Sequence, residues 1–178
     1  MRSQLVLTLI GRDRPGLVEA VAAEIAKHGG NWEESRMAHL AGKFAGILRL
    51  SVPEQAAPGL ARALGALERE GLRVVIDSSE PVTPPAGQSV RLELVGDDRE
   101  GIVREVARAL ALRGVNVDEL DTSCEDAPMG GAMLFRASAL LRLPAETSMD
   151  DLRAQLEALA DDLMVELTLD AVAHERDR

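Results

Sequence analysis

The chain has 178 residues, of which 46% are hydrophobic and 28% charged, a globular composition with length for one ordinary domain or two small ones. No apolar run approaches the roughly 20 residues that span a bilayer, so a soluble, cytoplasmic protein with no membrane partner is expected. The formal charge of −10 sits entirely in the second half, where residues 81–178 hold ten Lys+Arg against twenty Asp+Glu; such a surface repels phosphate backbones, and direct nucleic-acid binding is not expected.

Residues 1–10, MRSQLVLTLI, lack a small-residue cleavage site and are read as a strand, not a signal peptide. The apolar run 5–10 leads into GRDRPG at 11–16, after which Leu17, Val18, Val21, Ala22 and Ile25 recur at helical spacing until HGGN stops the helix. WEESRMAHL and FAGILRLSV are strand candidates separated by AGK, a turn with glycine where a hairpin needs it. Leu60, Leu64 and Leu67 mark a second amphipathic helix that ends at Gly71, and 72–77 is a last strand. The order so far is βαββαβ.

Three prolines and small polar residues at 78–89 then read as a linker, with domains at 1–79 and 90–173, the linker proper at 80–89 and a frayed tail at 174–178. The second half repeats the first. Residues 96–117 align without a gap to 11–32, ten of the 22 positions being identical. The predicted elements are a strand at 90–95, a helix at about 99–113, strands at about 116–125 and 132–143, a helix carrying Leu152, Leu156, Leu159 and Leu163, and a strand near 164–172. Only the hairpin differs, through the longer acidic connection EDAPMGG. The fold class is therefore α+β: two ferredoxin-like sandwiches, each a four-stranded antiparallel sheet with two helices on one face. The other face calls for a partner, and pairing of the halves or homo-oligomer formation is expected.

In the duplicated loops, Asp13 and Asp98 sit just before helix onset as candidate N-caps, Pro15 takes an early helical position, and Gly16 and Gly101 begin the first turn. The same residues suit a ligand: glycine lets it approach the backbone, and free N–H groups at a helix start attract a carboxylate. Asn31 and Asn116 follow the same helices and, with the strand after the helix beside the strand before it, face the same pocket as the loop.

The stretch LVLTLIGRDRPGLVEAVAAEIAKHGGNWEESRM and its copy resemble the ACT domain, and a free-standing pair of such units is similar to the glycine cleavage system transcriptional repressor family. That resemblance implies small amino acids, glycine first, bound at interfaces between ACT units. It also implies control of a DNA-binding transcriptional activator by protein contact, without catalysis or cofactor. It assigns one ligand site to Asp13, Arg14, Pro15, Gly16, Leu17 and Asn31, and a second to Asp98, Arg99, Gly101, Ile102 and Asn116. Glu100 in place of proline and the added Asp97 make the second site the poorer one for a carboxylate.

Other constellations are weaker. Cys124, the only cysteine, excludes an internal disulfide and a cysteine-based zinc cluster. His28, His39 and His174 lack metal-ligand spacing, and His28 reads as a cation at a helix C-terminus. Glu33, Glu34 and Arg36, or Asp118, Glu119 and Asp121, read as solvated strand edges, and Trp32 as a core or interface anchor. Two alternatives remain: an acylphosphatase-like hydrolase using Arg12, Arg14 and Asn31, and an interaction scaffold that responds to no ligand.

Overall fold

The computed structural model describes residues 1–78, 86–126 and 133–172. The expected linker falls mostly outside this range, the acidic hairpin connection partly and the tail wholly. Two compact units, Met1–Thr83 and Pro84–Arg178, divide the chain.

The first unit runs β1 (Arg2–Arg12), α1 (Leu17–Lys27), β2 (Asn31–Leu40), β3 (Lys43–Pro53), α2 (Ala57–Ala66, between single 3-10 turns) and β4 (Leu72–Ser78). The second repeats it as β5 (Gln88–Asp97), α3 (Ile102–Leu112), β6 (Asn116–Asp126), β7 (Met133–Leu143), α4 (Met149–Leu163) and β8 (Val165–Ala171). Their antiparallel sheets have the orders β2-β3-β1-β4 and β6-β7-β5-β8. Both are βαββαβ sandwiches.

Period-two burial on the strands and period-3.6 burial on the helices meet in one core per unit. In the first, Leu5, Leu7 and Leu9 of β1 and Leu48, Leu50 and Val52 of β3 face Leu17, Val21 and Ile25 of α1 and Leu60 and Leu64 of α2. Short helices of 10 or 11 residues are marginal alone, so burial of their apolar stripe, about 1.5–3 kcal/mol per large side chain, is what holds them. On the sheet face away from the helices, Ile10, Ile47 and Val75 stay exposed.

The two-residue turn between β2 and β3 has both residues left-handed, Ala41 at φ 49° and Gly42 at φ 74°, matching the strand twist. The units differ at the turn after the second helix. Gly71 (φ 85°) donates its N–H to the Glu68 carbonyl at 2.9 Å; in the second unit Met164 (φ 51°) takes the same role toward Asp161 at 3.1 Å. A non-glycine residue in this region costs roughly 1–2 kcal/mol, and the exposed Met164 side chain returns little by packing. Met164→Gly is accordingly expected to raise the stability of the second unit by about 0.5–1 kcal/mol after the added freedom of the unfolded chain, read as a higher midpoint in thermal denaturation. A lower midpoint would show that the methionine packs better than its exposure indicates.

Three details of the expected loops are corrected. The helix expected from about 99 starts at Ile102, because Gly101 at φ 94° is the N-cap. Gly16 at φ 92° plays the same part for α1, so neither Asp13 nor Asp98 is an N-cap. Pro15 lies one residue before that cap and is not helical.

Candidate functional site

Each duplicated loop is held by its own backbone and arginine. The Asp13 N–H donates to the Gly42 carbonyl at 3.0 Å, and the Asp98 N–H to that of Met133 at 2.7 Å, so both loops stay tied to the hairpin end of the sheet. Arg14 reaches across to the end of the second helix, where Nη2 donates to the carbonyl and a carboxylate oxygen of Glu70, both at 3.3 Å. Arg99 does the same to the Asp162 carbonyl at 3.3 Å. A guanidinium at the negative end of a helix is favourable, but the pairs join residues 56 and 63 positions apart, which no local pattern reveals.

The two glycines of each bracket serve different ends. A Cβ on Gly11 would lie 2.6 Å from the Gly71 carbonyl oxygen, and one on Gly96 2.5 Å from Val165 Cγ1; the first glycine lets the central strand approach its neighbour. Gly16 and Gly101 are required by their left-handed φ, and a Cβ there would meet nothing within 4 Å. At both helix starts the first-turn N–H groups have no intrahelical acceptor and no capping side chain. Beside Gly16 lies a shallow hollow bounded by Asp13, Arg14, Leu17, Val18, Glu19 and Phe44.

The asparagines are elsewhere, which corrects the expectation of one shared pocket. β3 separates β2 from β1, so the strand after the helix is not beside the strand before it. Asn31 pairs with Ser51, and Ser51 with Gln4, eight residues and roughly 26 Å along β1 from Arg12. Asn116 is equally remote from Asp98, through Arg142 and Ser89, and its amide donates to Asp118 at 2.7 Å. The Arg14 and Asn31 pair that an acylphosphatase-like hydrolase needs is thus split between the two ends of one sheet.

Against known proteins, residues 3–76 match the ACT domain family. That match covers most of the first unit, Met1–Thr83. The glycine cleavage system transcriptional repressors of Escherichia coli (strain K12) and Shigella flexneri are each 25% identical to it over 171 residues, 94% of this chain and 90% of each repressor. An unknown protein from Galdieria sulphuraria, solved by crystallography, superposes with a TM-score of 0.83 at 28% identity, over 97% of this chain and 100% of that chain. The fold is thereby shown, together with a likeness to these repressors over nearly the whole chain.

Within the first unit the loop is electrically balanced: residues 12–20 carry two arginines, Asp13 and Glu19. The corresponding 97–105 carry two arginines against Asp97, Asp98, Glu100 and Glu105, a net −2. The neighbouring Arg104 holds the Glu105 carboxyl below the usual range, so that charge persists to lower pH. A carboxylate meets less repulsion at the first loop than at the second.

The remaining sequence candidates have structural roles. Arg49 bridges Glu33 and Glu34, and Arg142 holds Asp118 at 2.6 Å. His28 caps the end of α1, its Nδ1 2.8 Å from the Glu24 carbonyl. Among the described residues no group of three His, Cys, Asp or Glu side chains is placed to hold a metal, and no helix is long and apolar enough to cross a membrane. Arg2, which the sequence reading passed over, ties the α1–β2 connection to the sheet through Ser51 (2.8 Å to its carbonyl) and Gly29.

Proposed function

We infer that this protein is a non-catalytic ACT-domain regulator that binds a small amino acid, glycine first, at the Asp13–Leu17 loop and acts on a DNA-binding transcriptional activator by protein contact. The observation that carries this reading is the uncapped helix start behind Gly16: donors that no side chain satisfies, a positive helix end, and open space where a Gly16 Cβ would stand. Likeness to the glycine cleavage system repressors along nearly the whole chain supports the regulatory role. An acidic second half supports contact with a protein in preference to DNA. The second loop, Asp98, Arg99, Gly101 and Ile102, is the weaker site by charge.

Since Asn31 lies at the far end of its own sheet, it completes the first site only from a second copy of the chain, and Asn116 relates to the second site in the same way. Homo-oligomer formation is part of the proposal. Glycine has five heavy atoms, so at a ceiling of about −1.5 kcal/mol per atom its dissociation constant reaches a few micromolar at best, a range suited to sensing a metabolite pool.

Calorimetric titration with glycine tests the reading. Gly16→Ala is expected to remain folded, since its Cβ meets nothing, at a cost of roughly 1–2 kcal/mol from its φ, while glycine affinity falls about tenfold because that Cβ enters the ligand's approach. Asn31→Ala is expected to weaken binding several-fold, by roughly 0.5–1.5 kcal/mol for one hydrogen bond. Unchanged affinity in Gly16→Ala, or no heat with any standard amino acid, removes the proposal and leaves the scaffold reading.

A further inference from the structure

The two units share a backbone plan but fill the space between their first helix and edge strand differently. β5, α3 and β6 follow β1, α1 and β2 by 85 positions, which matches Trp32 to Val117 and Ser35 to Leu120. Gly11 pairs with Phe44 and Gly96 with Phe135, so β7 follows β3 by 91 positions and Leu48 matches Ala139. Both edge strands bulge at the same place, between Trp32 and Glu34 and between Val117 and Glu119, so the match holds where the difference arises.

In the first unit the space is full. Trp32 packs half-buried against the core, its indole N–H donating to Ser35 Oγ at 3.3 Å, and Leu48 beneath is completely buried. In the second unit, valine and alanine stand where tryptophan and leucine do, and a half-open hollow of about 50 Å³ lies between α3, β6 and β7. Its walls include Val103, Val106, Val117, Leu120, Phe135 and Ala139, and no polar atom contributes to them. Val117 and Leu120 at its mouth are 40% and 51% exposed.

A space of this size has room for water, but water needs two to four polar partners and here finds none. A charged ligand finds no counter-charge. The geometry points to a binding site for a small uncharged apolar molecule, one aromatic ring system in size, seated in the second unit where the first holds the indole of Trp32. The size follows from the sister repeat: the same backbone with the same bulge accepts an indole there, and the room that Ala139 leaves in place of Leu48 offsets what Leu120 takes in place of Ser35. This site is separate from the loop site proposed above and does not depend on it, because glycine has no apolar group to fill it.

The test is a titration of the full chain with indole, followed by backbone amide chemical shifts and by calorimetry, alongside Val117→Trp and Ala139→Leu. The expected result is saturable binding to the unsubstituted chain, with shifts centred on α3, β6 and β7. Val117→Trp is expected to raise the melting temperature of the second unit and to weaken indole binding by roughly tenfold or more, because its own side chain takes the place. Ala139→Leu fills the hollow from the sheet side and is expected to weaken binding in the same direction. Absence of saturable binding up to the solubility limit of indole overturns the proposal, as does unchanged affinity in a folded Val117→Trp. Should that variant not fold, Ala139→Leu decides in the same way.

Discussion

Leu48→Ala is expected to destabilise the first unit by about 2–5 kcal/mol, the usual cost of removing a fully buried leucine whose neighbours relax only in part. The residue is 0% exposed, lies on β3 opposite Leu7, which is equally buried, and sits next to Ser35 of the edge strand. A domain with a total stability of roughly 5–15 kcal/mol loses a large share of it, and its melting midpoint falls on the order of 15 °C. The measurement is clean because Trp32 is the only tryptophan and packs against the first core, so urea denaturation followed by its fluorescence reads that unit alone. The substitution gives the first unit the alanine that the second carries at Ala139. A loss below about 1 kcal/mol would mean that Trp32 moves into the vacated space, and the contrast between the two units would then be one of adjustable packing.

Gly11→Ala is expected to cost the same unit roughly 1–3 kcal/mol. Its Cβ would stand 2.6 Å from the Gly71 carbonyl oxygen and 3.2 Å from Leu72 Cδ1, and the closer of these is backbone, which yields only if β1 separates from β4. That pairing, Gly11 with Leu72, is the last of the ladder between the central strand and its neighbour. Gly16→Ala supplies the control, since its cost comes from φ alone and its Cβ has free space. Equal fluorescence midpoints for Gly11→Ala and the unsubstituted chain would falsify the close-approach reading of the first glycine.

Much of this was legible because periodicity and local turn chemistry decide it. The leucine spacing of β1, α1 and α2, the turn before Lys43 and the gap-free repeat need only neighbours in sequence to be recognised. The loop residues were legible as a group for the same reason, yet their individual roles were not. Asp13 and Asp98 look like caps because they precede an apolar helical run, but the left-handed Gly16 and Gly101 take that position and leave the aspartates in the loop before the turn. Arg14 and Arg99 look like ligand groups, and each also fastens its loop to a helix end far along the chain. The difference between Trp32 and Val117 stood at the last position of the repeat, a signal that acquired meaning only once Leu48 and Ala139 were seen beneath them.

By itself the sequence determined the element order, the two-fold repetition, the faces that become cores and the excess of acid in the second half, since each depends on residue type and spacing along the chain. The tertiary structure alone decided that β3 enters between β1 and β2. It also placed Asn31, at the start of β2, at the far end of the sheet from Asp13, brought two arginines to the ends of the opposite helices, and showed that valine and alanine in place of tryptophan and leucine leave one unit with a hollow where the other is full. Strand order is fixed by which ladders and buried surfaces are jointly most favourable across the whole unit, and a local pattern of residues carries no record of it.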